Sequence, residues 1–196
     1  FDRVVGIPSK IYSDENLLLR ELGWHLTMTG VTIYSKSVLN ELDTFLTENY
    51  HNFPQVALIF QYIANKRCNF LWNDKILIAG NVNKKSYWHK DVFKVFIDDW
   101  SSCIDSLSDK YINETKEVAK VSHSLNTDLY SLKSLVSYRI HGFFSWSEYF
   151  HYFHDLRKHS KVNIGIVSLV VFLPRFVFTF FYRLYDKGRK RDLEPV

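Results

Sequence analysis

The chain has 196 residues, of which 46% are hydrophobic and 17% aromatic, and a formal net charge of +4. This length and apolar content predict one domain or slightly more with a sizeable core, and they exclude a largely disordered protein. The charge is uneven, because residues 157–196 hold nine Lys or Arg against three acids, so this tail carries +6 and the remainder −2. A general nucleic-acid binder carries its basic charge on the folded surface, so we expect no nucleic-acid partner.

The two cysteines and the first residues indicate the cellular setting. Cys68 and Cys103 lack the spacing of a metal site, which predicts buried thiols in a reducing compartment. The opening Phe1-Asp2-Arg3 has no methionine, and no apolar run follows it. We therefore expect no secretory signal, and we expect this stretch to be the later part of a longer protein.

The first predicted elements are a short helix and a strand. Residues 16–22 form the helix, with Ser13 or Asp14 as its cap and a left-handed Gly23 as its end. From Leu26 to Ile33 large apolar residues alternate with Thr or Gly, which predicts a strand with one buried face. Such a strand can be a plain core strand, or it can present Trp24 and His25 to a ligand at its mouth.

The next elements run from Ser35 to Asn81. Ser35 caps a second helix that extends to Leu46, and the polar loop 47–52 leads into a third helix at Pro54. That third helix is apolar nearly all round, so we expect it to be buried. Residues 69–72 and 75–79 predict a strand pair or one bent strand, followed by a Gly80-Asn81 loop.

The second half is predicted to be almost entirely helical, with helices over 92–107, 109–121, 127–141 and 146–159. The last apolar stretch, 162–182, is interrupted by Pro174-Arg175. A spanning helix needs about 20 apolar residues, and Arg175 near the middle of that window disfavours spanning. A kinked amphipathic helix in the plane of an anionic membrane surface fits better, and a buried C-terminal helix with a solvated end is the alternative. The basic residues expected at the headgroups are Arg175, Arg183, Lys187, Arg189, Lys190 and Arg191.

Candidate chemistry is sparse. The chain has no phosphate loop, dinucleotide glycine pattern, nucleophile elbow or HExxH motif. Four histidines lie between residues 141 and 159, but no carboxylate or cysteine accompanies them at metal-ligand spacing, so we expect no metal site. Glu48 or His51, in the loop before the third helix, can act as a general base near the helix amides. The alternative is that Glu48 only caps that helix.

The order of several short motifs resembles the C-terminal half of family 2 glycosyltransferases, in the bacterial O-antigen and capsule branch of abequosyltransferase-like enzymes. The motifs are Gly23-Trp24-His25-Leu26-Thr27, Val31-Thr32-Ile33-Tyr34-Ser35-Lys36, Asn52-Phe53-Pro54-Gln55, Gly80-Asn81, Tyr87-Trp88, Phe93-Lys94 and Trp100. The similarity runs from about Glu15 to Tyr149.

The resemblance implies a GT-A fold, whose first half binds a nucleotide-sugar and a divalent metal and whose second half shapes the acceptor site. Together with the residue patterns above, it predicts an α/β, mostly helical chain with three parts: an acceptor-side α/β portion of a GT-A domain (1–88), a helical bundle (89–160) and a membrane-associating helix and tail (161–196). The usual Asp-x-Asp motif is absent from this sequence, since Asp98-Asp99 lies in a helical stretch. Mg²⁺ or Mn²⁺ is therefore expected only with the missing half, and this chain alone should be inactive.

The resemblance also implies the reaction, an inverting displacement at a sugar. Its base is an acidic residue in the position of the loop 47–51, where Glu48 and His51 are the candidates. The acceptor is a saccharide on polyprenyl diphosphate at the cytoplasmic face of the inner membrane. The expected acceptor-binding residues are Trp24, His25, Thr27, Thr29, Asn81 and Trp88, each of which can instead serve packing. A non-catalytic peripheral membrane adaptor is the alternative function.

Overall fold

The computed structural model of the chain describes residues 6–27, 32–40, 52–66, 69–75 and 87–180. Within these residues the protein is α/β and mostly helical, as predicted, with a two-stranded sheet. The chain divides into two compact units, Phe1–His123 and Ser124–Val196. The three-part division at residues 88 and 160 stays a prediction.

The first unit combines the sheet with short helices. Its elements in chain order are β1 (Lys10–Tyr12), α1 (Glu15–Leu22), a 3₁₀ turn (His25–Thr27), α2 (Lys36–Asn40), α3 (Pro54–Asn65), β2 (Phe70–Trp72), a second 3₁₀ turn (Tyr87–Asp91), a π-helical segment (Lys94–Asp99), α4 (Trp100–Asp105) and most of α5 (Asn113–Asn126).

The first helix begins as predicted and ends differently. The Asp14 carboxylate accepts hydrogen bonds from the backbone N–H groups of Asn16 and Leu17, which confirms it as the cap. Gly23 was predicted to be left-handed, but its φ of −46° and ψ of −49° are right-handed helical. A Cβ at Gly23 would lie 2.6 Å from the Leu19 carbonyl oxygen, so close approach explains the glycine here.

The predicted strand from Leu26 to Ile33 is wrong where the structure describes it. His25–Thr27 form a 3₁₀ turn, and residues 32–35 have no regular structure. The Thr27 hydroxyl donates to the Trp24 carbonyl at 2.8 Å, and the Thr27 N–H reaches the same oxygen at 3.1 Å. The Trp24 carbonyl and the Thr27 N–H therefore bond within the turn, whereas in a strand they would bond to a neighbouring strand. Residues 28–31 lie outside the described part.

The strand at 70–72 is confirmed, but its described partner was missed. β2 pairs antiparallel with β1, with Ile11 opposite Leu71, and the sequence analysis had predicted no strand before residue 26. The indole N–H of Trp72 also donates to the Ile7 carbonyl at 3.0 Å. The proposed second strand over 75–79 lies almost wholly outside the described residues.

The core of the first unit centres on Trp100, which is 0% exposed. Its indole N–H donates to the Ala119 carbonyl of α5 at 3.1 Å. The rings of Phe53 and Trp24 meet it edge-on, with centroid distances of 5.1 and 5.6 Å. α3 packs here as a buried helix, as predicted, with Val56 to Phe60 all buried.

The second unit consists of helices in the residues that the structure describes. They are the end of α5, α6 (Leu132–His141), α7 (Trp146–His151), α8 (Phe153–His159), α9 (Ile164–Phe172) and α10 (175–180). Gly142, with φ of 84°, ends α6 after His141, where the prediction also ended it. The helix predicted over 146–159 is divided at Tyr152, and the last helix breaks at Leu173-Pro174, where the sequence placed its kink.

We expect Trp100→Ala to lower the free energy of unfolding of the first unit by about 3–5 kcal/mol, the usual cost of deleting a buried Trp. Trp100→Phe keeps most of the ring packing and loses the indole hydrogen bond, while the Ala119 carbonyl still accepts from the Ser122 hydroxyl, so it should cost about 0.5–1.5 kcal/mol. Urea unfolding followed by circular dichroism measures both. Equal losses in the two variants would show that the hydrogen bond, and not the ring, dominates.

Candidate functional site

The start of α3 lies beside the turn that carries three predicted acceptor residues. The Gln55 side-chain amide donates to the Thr27 carbonyl at 2.6 Å, across a sequence separation of 28 residues. Pro54 and Gln55 open α3, where backbone N–H groups lack partners within the helix. Trp24, His25 and Thr27 are thereby held next to a helix N-terminus.

Trp24 and Trp88 both contact Phe96. Their ring centroids lie 5.3 and 4.7 Å from that of Phe96, with nearly perpendicular planes. Trp24 also lies 5.2 Å from the buried His123 ring. Both tryptophans are half-buried, so they contribute to the core and still present part of their surface to solvent. This arrangement suits an aromatic wall and a packing cluster equally.

His25 lies at the edge of this group. Its ring centroid is 6.4 Å from that of Trp72, and the residue is half-buried. Burial lowers the pKa of His25 below its ordinary value, because water no longer stabilises the charged form. The imidazole is therefore neutral at pH 7, with one nitrogen to donate a hydrogen bond and one to accept.

A polar group at the start of α3 was not expected from the sequence. The Asn52 side-chain amide donates to the Asp99 carboxylate at 2.6 Å, and the Lys94 ammonium binds the same carboxylate at 2.8 Å. The hydrogen bond from Lys94 to Asp99 raises the pKa of Lys94, with the nearby acids adding to the effect and desolvation opposing it. The π-helical turn brings residues five apart onto one side, which lets Lys94 reach Asp99. No sequence signal marks a π-helical turn, so the contact could not be predicted.

Several predicted residues lie outside the described part of the chain. They are the candidate bases Glu48 and His51, the acceptor candidates Thr29 and Asn81, and the tail residues Arg183, Lys187, Arg189, Lys190 and Arg191. Arg175 is described and exposed. In sequence, His51 directly precedes Asn52, the residue that Asp99 holds.

The described residues contain no group of three or more His, Cys, Asp or Glu arranged to hold a metal ion. Cys103 is buried, as predicted, and burial raises the pKa of its thiol to about 12, so the thiol stays protonated. Cys68 is not among the described residues.

No helix within the described ranges is long and apolar enough to span a bilayer.

Comparison of the chain with protein-family models, curated proteins and solved structures gives no match.

The low pKa of His25 predicts a pH-dependent contribution to stability. As the pH falls below the ordinary His pKa, the unfolded chain takes up the proton before the folded chain does, so stability falls until the folded pKa is passed. His25→Gln should therefore lose less stability than the unmodified chain between pH 7 and pH 5. Urea unfolding followed by tryptophan fluorescence measures this, and His154→Gln, at an exposed histidine of the second unit, is the control. An equal loss in His25→Gln would contradict the lowered pKa.

Proposed function

We propose that this chain is the acceptor-binding portion of a family 2 glycosyltransferase of the O-antigen and capsule type. The observation that carries the proposal is the hydrogen bond from Gln55 to the Thr27 carbonyl. It supports the proposal because it joins the turn with Trp24, His25 and Thr27 to the helix start that the candidate-base loop leads into. In the sequence, Thr27 lies 21 residues before Glu48, and the proposed reaction requires the acceptor-binding residues and the base to be neighbours.

In the proposed reaction a base removes the proton from an acceptor hydroxyl, and the hydroxyl oxygen displaces the nucleoside diphosphate from the donor sugar. Glu48 and His51 are the candidate bases. The hydrogen bond from Asn52 to Asp99 fixes the end of their loop against the π-helical segment, so Asp99 acts as a positioning residue. Orientation of this kind is a large part of what an enzyme contributes to a displacement.

The acceptor sugar would lie against the exposed parts of Trp24 and Trp88, whose aromatic faces suit the C–H surface of a sugar ring. His25 is neutral at pH 7 and can both accept from and donate to sugar hydroxyls. Thr29 and Asn81 are the further proposed hydrogen-bonding residues. The donor and its divalent metal are assigned to residues outside this stretch.

The proposed acceptor is a saccharide on polyprenyl diphosphate, which places the enzyme on the cytoplasmic face of the inner membrane as a peripheral protein. The basic residues of the tail, including the exposed Arg175, would contact anionic headgroups there. A non-catalytic membrane adaptor is the rival function, and it would need the same membrane contact but no donor sugar.

A label-transfer assay on the complete protein tests the proposal. The protein is incubated with a panel of radiolabelled nucleotide-sugars and bacterial membranes, and label is counted in the lipid extract. Glu48→Gln or His51→Ala, whichever removes the base, should lower turnover by about 100-fold or more, the usual contribution of a general base. Circular dichroism should show unchanged folding.

Two matched variants control for the loss of one carboxylate or one imidazole. Glu114→Gln and His154→Ala change exposed residues distant in sequence from the site, and both should retain normal turnover. Normal turnover in both Glu48→Gln and His51→Ala would show that the base is assigned wrongly. If the unmodified protein transfers no label from any donor, the adaptor function replaces the transferase.

A further inference from the structure

Exposed apolar side chains are concentrated on three helices of the second unit, α7, α9 and α10. In the described part of the chain, seven large apolar residues between 146 and 180 are each at least 43% exposed. They are Trp146, Phe150, Ile166, Leu169, Phe172, Phe176 and Phe180, and together we call them the apolar face. Single exposed apolar residues are normal on a protein surface, but a continuous patch indicates a binding surface.

The packing of α9 sets this face outward. Val167, Val170 and Val171 are buried, while Ile166 and Leu169 on the other side are exposed. Phe172 continues the three-residue spacing to the end of α9, and beyond the Pro174 break Phe176 and Phe180, four residues apart on α10, are exposed as well.

α7 extends the apolar face beyond the C-terminal helices. The ring centroid of Trp146 lies 4.2 Å from that of Phe172 and 6.1 Å from that of Phe150. The Tyr149 hydroxyl and the Ser168 hydroxyl share a hydrogen bond of 2.6 Å, which fastens α7 to α9. The structure thus exposes two aromatic rings of α7, Trp146 and Phe150, and places Trp146 against Phe172 of α9.

The charges around the apolar face are positive. Residues 162–180 contain no acid, and the exposed Lys161 and Arg175 lie just before α9 and at the start of α10. In α7 the half-buried Glu148 carboxylate closes a capping box, in which it accepts hydrogen bonds from the Ser145 hydroxyl and from the Ser145 N–H at 2.9 Å. Five more basic residues follow Phe180 in the sequence, between 183 and 191.

We propose that the apolar face is a bilayer-insertion surface for an anionic lipid membrane, formed by α7, α9 and α10 together. Anionic headgroups complement the basic residues that border it, while the lipid interior accepts Phe150, Leu169 and Phe176. A symmetric pair of this chain would instead bring the same basic residues of two copies together. α9 has nine residues, about 13 Å of helix, so it lies within one leaflet.

Vesicle binding by the full chain tests this inference. Vesicles of phosphatidylcholine alone and of phosphatidylcholine with phosphatidylglycerol carry no saccharide, so the result does not depend on the transferase proposal. Phe150→Ser and Leu169→Ser should each weaken binding to the anionic vesicles by roughly tenfold, because each removes an inserted apolar side chain. Brominated lipid should quench the fluorescence of the chain, and Trp146→Phe should remove most of that quenching.

Leu71→Ser is the matched control, since Leu71 is 68% exposed in the first unit and should leave binding unchanged. Removal of residues 181–196 should weaken binding mainly on the anionic vesicles. The inference is overturned if Phe150→Ser and Leu169→Ser bind as tightly as the unmodified chain, which would assign membrane contact to the basic tail alone. It is equally overturned if these variants abolish a dimer seen by sedimentation, because the apolar face would then be covered by a second copy.

Discussion

The buried indole of Trp100 is the contact on which the first unit depends. Its ring is packed by Phe53 at the start of α3 and by Trp24 after α1, while its N–H is bonded to the Ala119 carbonyl in α5. The two ring contacts and the N–H hydrogen bond together define one orientation of the indole. They fix α4, the start of α3, the segment after α1 and α5 relative to one another. The candidate site is built on two of these parts, which explains how a turn of three residues can have a defined position.

The two polar side chains at the start of α3, Asn52 and Gln55, contact different parts of the first unit. Gln55 fixes the neighbouring turn through its backbone, and Asn52 is fixed by Asp99. Neither bond uses a group of Trp24 or His25, and both rings remain partly exposed. The ion pair between Lys94 and Asp99 is partly solvent-exposed, so its contribution is geometric and its energy small.

Local signals in the sequence predicted what is local in the structure. The cap at Asp14, the proline that opens α3 and the break at Pro174 each depend on one or two residues, and the structure has all three. The failures depend on distant or competing contacts. β2 pairs with β1 some 60 residues earlier in the chain, and Thr27 bonds to its own turn in spite of its β-branched side chain. At the candidate site, the alternation from Leu26 to Ile33 predicted a strand where the structure begins with a 3₁₀ turn, and the Asn52–Asp99 bond had no sequence signal.

The hydrogen bond between Tyr149 and Ser168 has a further consequence for α9. Every other residue of that helix is apolar, so burial alone hardly distinguishes one rotation of the helix about its axis from another. Ser168 is the one polar side chain in Ile164–Phe172, and its bond to Tyr149 selects the rotation that turns Val167 and Val171 inward. A replacement of Ser168 by Val would keep the hydrophobic content and remove this selection, leaving several rotations of similar energy. The Ser168 hydroxyl thus distinguishes a buried side from an exposed side on a helix whose other residues are all apolar.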